Sequence, residues 1–272
     1  MSGVQVFLTR PEGRNGTVPQ RLRALGMELQ ELPALEVRPL QLQQPLPLPG
    51  NYDVVVFVSR YAGQRYLELL AGATGGRVDW PAHTVAATVG ASSARALRDA
   101  HCIPDASIVH PPPDAPAQDS EALLAILLEK ELPLNRVLVV RGLRGRDWLG
   151  KALQARGVQV DFLPVYDRVP ADWPPEIATQ LGTALSRPAH CIFLLTSSEG
   201  VVAVANRLTG MGLIDQWRKA GFVVIHERIG ATLQSVLASQ SDGDVRRLEL
   251  CMPDDDSIVA AIQAVARLTA EP

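Results

Sequence analysis

The sequence predicts an α/β protein built of two similar halves, each a parallel sheet covered by helices on both faces. Three observations carry this expectation. Short apolar runs alternate with amphipathic helical stretches from end to end, and the chain repeats itself at a nearly constant spacing. Its 272 residues also suit two domains, on the usual ~100–200 residues per domain. Each half is long enough to bury a core of its own.

Taken in order, the apolar runs place strands at 4–8, 28–32, 53–58, 84–89, 106–109, 136–140, 158–163, 190–195, 222–226 and 246–251. Between them, helices are expected at 15–26, 61–71, 91–100, 118–130, 146–156, 198–208, 229–239 and 255–269. Strands followed by helices of ~10–15 residues mean parallel sheets, because each crossover has to carry the chain back to the same end of the sheet. Segments 39–51, rich in Pro and Gln, and 110–118, His-Pro-Pro-Pro-Asp-Ala-Pro-Ala-Gln, read as extended loops.

The repeat appears when the chain is laid against itself. At an offset of 131, Leu22, Ala24, Gly26, Leu32, Pro33 and Pro39 meet Leu153, Ala155, Gly157, Leu163, Pro164 and Pro170. The shared pattern is a helix ending at glycine, a buried strand and a Pro-flanked extended segment. At an offset of 137, Gly63, Ala94, Asp119 and Ser120 meet Gly200, Ala231, Asp256 and Ser257, and Ser59 falls opposite Thr196. Short loop insertions account for the difference between the offsets, and the preserved order of elements favours duplication over chance.

Composition narrows the function less. A hydrophobic content of 47% with 20% charged residues is that of a globular chain. A net charge of −3 gives no reason to expect a nucleic-acid partner. Of 26 basic residues only Lys130, Lys151 and Lys219 are lysines. Arginine's planar fork suits carboxylates and phosphates, although a GC-rich genome produces the same bias. Cys102, Cys191 and Cys251 lack any CxxC spacing, so neither a disulfide framework nor a zinc site is expected. The chain enters its first strand without a signal peptide, and no apolar run approaches the ~20 residues of a membrane span. The expectation is a cytoplasmic protein with no membrane partner, and a monomer, since no long apolar surface stripe is evident.

Ligands of open parallel sheets bind beyond the carboxyl ends of the strands. In this chain those positions read Thr9-Arg10-Pro11, Ser59-Arg60, Gly90-Ala91-Ser92-Ser93, Arg141-Gly142-Leu143-Arg144-Gly145-Arg146, Thr196-Ser197-Ser198 and His226-Glu227-Arg228. Each puts hydroxyls, glycines or arginines at a helix start, where free N–H groups and the helix dipole favour anions. Serine and threonine are also common helix caps, which accounts for any one of these turns. Together they describe a site for a ligand with several separate negative groups. No GxxxxGK[ST] or GxGxxG loop supports nucleotide binding. The histidines show no metal-binding spacing, and no serine sits in a GxSxG nucleophile elbow.

The same segments carry a family resemblance. VFLTRPEGR, LPALEVRPL, VVVFVSRYAG, TVGASSARAL, VVRGLRGRDWL, LPVYDRVP, LLTSSEG, VIHERIGATL and PDDDSIVAAI, in this order, resemble the bacterial uroporphyrinogen-III synthases. One departure is the turn His226-Glu227-Arg228, where other members often have Gly-Pro-Thr.

The resemblance implies two α/β domains joined by a two-stranded ladder, with the active site in the cleft between them. Mapped here, the ladder strands are 34–41 and 165–171, one domain combines 1–33 with 172–272, and the other is 42–164. Contiguous halves split near 134 are the simpler alternative. The implied reaction closes the linear tetrapyrrole hydroxymethylbilane to uroporphyrinogen III, losing water and inverting ring D through a spiro intermediate, with no metal or organic cofactor. Transfer of the substrate from the preceding pathway enzyme is a further expectation. The acetate and propionate side chains of the substrate fit the multi-anion site. The resemblance places the family's functional tyrosine at Tyr166, whose repeat partner is Leu35, as acid to the departing hydroxyl. Substrate-binding expectations fall on Thr9, Arg10, Ser59, Arg60, Gly90, Ser92, Ser93, Arg141, Gly142, Arg146, Thr196, Ser197, Ser198 and Arg228. Two rivals share the architecture: a hinge-closing sensor of an anionic metabolite and a nucleotide-sugar glycosyltransferase.

Overall fold

The structure, a computed structural model, describes residues 3–112, 114–115, 117–238 and 247–268. Residues 113 and 116 of the Pro-rich loop, the expected element ends 239, 246 and 269, and residues 1–2, 240–245 and 270–272 of the first expected domain lie outside the described residues. The strands are β1 (Gln5–Leu8), β2 (Glu28–Glu31), β3 (Leu35–Pro39), β4 (Val54–Phe57), β5 (Val85–Thr88), β6 (Ile108–Val109), β7 (Arg136–Gly142), β8 (Gln159–Pro170), β9 (Cys191–Leu195), β10 (Gly221–Val224) and β11 (Leu248–Leu250). The helices are α1 (Val18–Ala24), α2 (Arg60–Ala73), α3 (Ala91–Asp99), α4 (Ser120–Glu129), α5 (Trp148–Gln154), α6 (Pro175–Leu185), α7 (Ser198–Gly210), α8 (Ile214–Trp217), α9 (Glu227–Ala238) and α10 (Asp255–Arg267). No described helix is long and apolar enough to cross a membrane.

One sheet runs β11-β10-β9-β1-β2 and the other β3-β8-β7-β4-β5-β6. All neighbours in the first are parallel, as are β8-β7-β4-β5-β6 in the second. Strand β3 runs antiparallel to β8, with Leu40 N–H donating to Val165 O at 3.0 Å and Ala171 N–H to Ala34 O at 3.1 Å. The contiguous division near 134 is excluded, because β1 pairs with β9 and β4 with β7. The chain instead forms two compact units, Met1–Glu36 with Val169–Pro272, and Val37–Arg168.

The two units share one strand order. Reading β11-β10-β9-β1-β2 against β6-β5-β4-β7-β8, every strand faces the position its repeat partner occupies. Alternation explains the cores, since successive side chains of a strand point to opposite faces. Val54 and Val56 face Leu123, Leu127 and Leu153, while Val55 and Phe57 face Tyr66, Trp80 and Leu97. In the first sheet Val6 and Leu8 join Ile258 and Ile262, and Phe7 stacks on Phe193 at 4.5 Å between ring centroids. Cys191 lies in this core and all three cysteines are free.

Several features differ from the sequence reading, among them the short helix α8, which has no expected counterpart. Segments 158–163 and 165–171 are one continuous strand, β8. Helix α6 has no counterpart among the expected helices: Pro174 and Pro175 mark a break, yet proline suits a first turn, and Leu181 and Leu185 anchor the helix in the core. Within 39–51, Pro49–Asn51 forms a 3₁₀ turn rather than extended chain.

Candidate active site

In the unit of residues 37–168, the segments at the ends of β4 and β7 meet Tyr166. This residue is buried, and its hydroxyl lies 3.1 Å from Ser59 Oγ. Ser59 follows β4 by two residues and caps α2, its Oγ accepting the N–H of Ala62 at 3.1 Å. Tyr61, in the first turn of α2, sets its ring edge-on to Tyr166 at 5.2 Å. Opposite stands Gly142: β7 and β8 are in register up to Arg141 and Pro164, but Gly142 then faces Tyr166, so Val165 is an extra residue. Such a bulge turns the following side chain. A Cβ on Gly142 would come 2.8 Å from Tyr166 Cε2 and 3.0 Å from Cζ. Glycine is therefore what lets the phenol ring lie against β7.

The loop after β7 is tied by its own charges. Arg141 donates to Gly142 O at 3.1 Å, to Gly145 O at 2.9 Å and to the Asp147 carboxylate. The hydrogen bond from Arg141, with its charge, holds the Asp147 carboxyl below its ordinary value. Arg144 reaches the buried Asp167 at 3.4 Å, and Arg146 pairs with Glu121. A hollow of about 350 Å³ beside this loop is lined by Arg141, Leu143, Arg144, Lys151 and Phe162, among others. At the end of β5, Gly90 caps α3 and the N–H of Ala91 is held by Gln118 Oε1 at 3.0 Å. Ser93 is buried and Ser92 exposed.

In the other unit, the hydroxyl of Thr9 donates to Leu194 O at 2.6 Å and so links β1 to β9. Arg10 donates to Pro253 O at 3.3 Å and lies 3.9 Å from Asp255. Ser197 caps α7, accepting the N–H of Gly200 at 3.0 Å. Ser198 Oγ accepts from Thr232 at 3.0 Å, and Thr196 is half-buried. The ring of His226 accepts the N–H of Arg228 at 3.1 Å and so caps α9.

Nine of the expected residues therefore fall into three groups. Ser59, Gly142 and Tyr166 touch one another. Thr9, Arg10, Arg141 and Arg146 are committed to partners within the chain. Arg60 and Arg228 are exposed, and neither guanidinium has an ion-pair or hydrogen-bond partner among the described residues. The first N–H groups of α2 and α7, which no helix can satisfy internally, belong to Arg60, Tyr61, Ser198 and Glu199. Sequence reasoning missed Tyr61, Gln118 and Asp147. Tyr61 stood in the quoted VSRYAG segment, and Gln118 directly precedes the Asp119 cap of α4.

The family model described as uroporphyrinogen-III synthase HemD matches residues 17–238. The chain belongs to the uroporphyrinogen-III synthase family. The resemblance read from short motifs is thereby borne out, although the opening and closing motifs lie at or beyond the ends of the matched span. The uroporphyrinogen-III synthase of Escherichia coli K12 is 28% identical over 172 residues, covering 61% of this chain and 65% of that one. That of Salmonella typhimurium LT2 is 31% identical over 170 residues, with the same coverages. The match thus spans 65% of the length of these curated relatives. A mutant uroporphyrinogen III synthase from Thermus thermophilus superposes with a TM-score of 0.55 at 17% identity, covering 99% of this chain and 100% of that one. At that identity the likeness speaks for the uroporphyrinogen-III synthase fold.

Proposed function

We propose that this chain cyclises hydroxymethylbilane to uroporphyrinogen III, with loss of water and inversion of ring D. Family membership is the observation that carries the reading, and the constellation around Tyr166 supports it. In the proposed reaction the terminal C–O bond breaks and the hydroxyl leaves as water with the phenolic proton of Tyr166. The pyrrole N–H of the same ring returns a proton to the tyrosine oxygen, leaving a neutral azafulvene. The substituted carbon of ring D attacks it, and the spiro intermediate fragments and recloses inverted. Left alone, the same substrate closes without inversion, so orientation is the main task, the kind of positioning worth several kcal/mol of barrier. General-acid assistance adds about 10²–10⁴-fold. As written, the reaction calls for no metal or organic cofactor.

The substrate carboxylates would be met by the open amides of α2 and α7 and by Arg60 and Arg228. Thr9, Arg10, Arg141 and Arg146 would contribute by shaping the turns. Gly90, Ser92 and Ser93 would act once Gln118 yields the Ala91 amide. The reading extends to a cytoplasmic monomer that receives hydroxymethylbilane from the enzyme preceding it. Purified protein given freshly made hydroxymethylbilane should consume it well above the enzyme-free rate. Tight binding without consumption would favour the metabolite sensor instead, and tight binding of a nucleoside diphosphate the glycosyltransferase.

A further inference from the structure

Ser59 carries two hydrogen bonds that do different work. Its Oγ accepts the N–H of Ala62, which caps α2, and it also lies 3.1 Å from the hydroxyl of Tyr166. Capping alone does not require the second contact. Ser197 caps α7 in the same way, through Gly200 N–H at 3.0 Å, and the repeat partner of Tyr166 is Leu35, which has no hydroxyl to offer. The unit of residues 1–36 and 169–272 thus serves as an internal control in which the cap stands without the phenol.

A serine hydroxyl has one proton to give and two lone pairs to accept with. One lone pair is taken by Ala62 N–H, and an oxygen that accepts becomes a better donor through its own O–H, because successive hydrogen bonds polarise one another. Its position at the positive end of the 14-residue helix α2 acts in the same direction. The remaining freedoms of Tyr166 are already fixed. Leu143 N–H holds its carbonyl at 2.7 Å, Gly142 leaves room for the ring, and Tyr61 stands edge-on to it. Only rotation of the phenolic O–H about its C–O bond is left to set.

We propose that Ser59 is a positioning residue, which donates a hydrogen bond to the Tyr166 oxygen and so turns the phenolic proton toward the substrate. The inference rests on the reading of Tyr166 as the acid. When the proton has left with the departing hydroxyl, the same Ser59 O–H stabilises the tyrosine oxygen until the pyrrole proton returns.

The test is a double-mutant cycle on the full chain, using hydroxymethylbilane consumption and thermal melting. Ser59→Gly removes the hydroxyl but keeps most of the cap, since glycine costs only a few tenths of a kcal/mol at that position. The expected result is a kcat about tenfold lower, a fraction of what a positioned general acid supplies, with KM and melting temperature little changed. Ser59→Thr should restore kcat. In a Tyr166→Phe background, Ser59→Gly should lower kcat no further. A rise in KM alone would mean that Ser59 binds substrate directly, and an equal loss in both backgrounds that it does not act through Tyr166; either overturns the proposal. A normal loss in Tyr166→Phe with no effect of Ser59→Gly overturns the role of Ser59 and leaves the acid in place. Full activity in Tyr166→Phe overturns both.

Discussion

At Gly142 the absence of a single methyl group sets the geometry of the neighbouring phenol. A Cβ there would stand 2.8 Å from Tyr166 Cε2 and 3.3 Å from its hydroxyl, so Gly142→Ala has to displace the ring from its present place against β7. Forcing a methyl into such a contact costs about 1–3 kcal/mol. We expect urea unfolding to register that loss and turnover to fall at least as far as in Tyr166→Phe; wild-type turnover would mean that the ring position is irrelevant. Arginines call for a different expectation. Charge reversal at Arg228, whose side chain has no partner among the described residues, should raise KM for hydroxymethylbilane with an unchanged melting temperature. The same change at Arg141 would break a loop held by Gly142, Gly145 and Asp147. Tyr166 was legible through the segment LPVYDRVP that carries the family resemblance, where its repeat partner is Leu35, and Ser59 because it follows a strand and starts a helix. The commitment of Arg141 was not legible, since an arginine after a strand reads alike whether it meets a ligand or an aspartate six residues on.

Among the elements, α10 shows how termini are fastened by carboxylates. Asp254 caps it through Ser257 N–H at 2.8 Å. Asp255 accepts from the N–H of Thr17 at 2.7 Å and from its hydroxyl at 2.8 Å, joining the starts of α1 and α10. Gly16 makes room for this: its φ is +55° and a Cβ would meet Asp255 Oδ2 at 2.5 Å. The hydrogen bonds from Thr17 hold the Asp255 carboxyl below its ordinary value of 3.8, with Arg10 and Arg21 adding to the effect. A carboxylate whose value is depressed on folding stabilises the fold above its unfolded value, and loses that contribution as pH falls through the folded one. The melting temperature of Asp255→Asn should therefore lie below wild type at neutral pH, and the gap should close as pH drops below 3.8. A gap independent of pH would show that charge plays no part. Most elements were legible because apolar runs and caps agree locally. The unbroken β8 was not, because Pro164 reads as a stop while the structure places it in the strand, opposite Arg141.

On the scale of the molecule, the duplication is written in strand order as well as in residues. Apart from β3, each sheet takes a strand pair from one repeat and a strand triplet from the other, so neither half of the chain closes a sheet by itself. Periodicity predicts the number and direction of strands, since it reports which face each residue buries. It is silent on which repeat supplies a given neighbour, because β1 beside β9 and β1 beside β4 would bury the same residues. The central claim is that the chain steers a flexible tetrapyrrole into one ring closure. The direct measurement is the isomer composition of the porphyrin obtained by oxidising the product of purified protein and fresh hydroxymethylbilane. Predominantly type III porphyrin is predicted; predominantly type I, matching the enzyme-free control, would contradict the account.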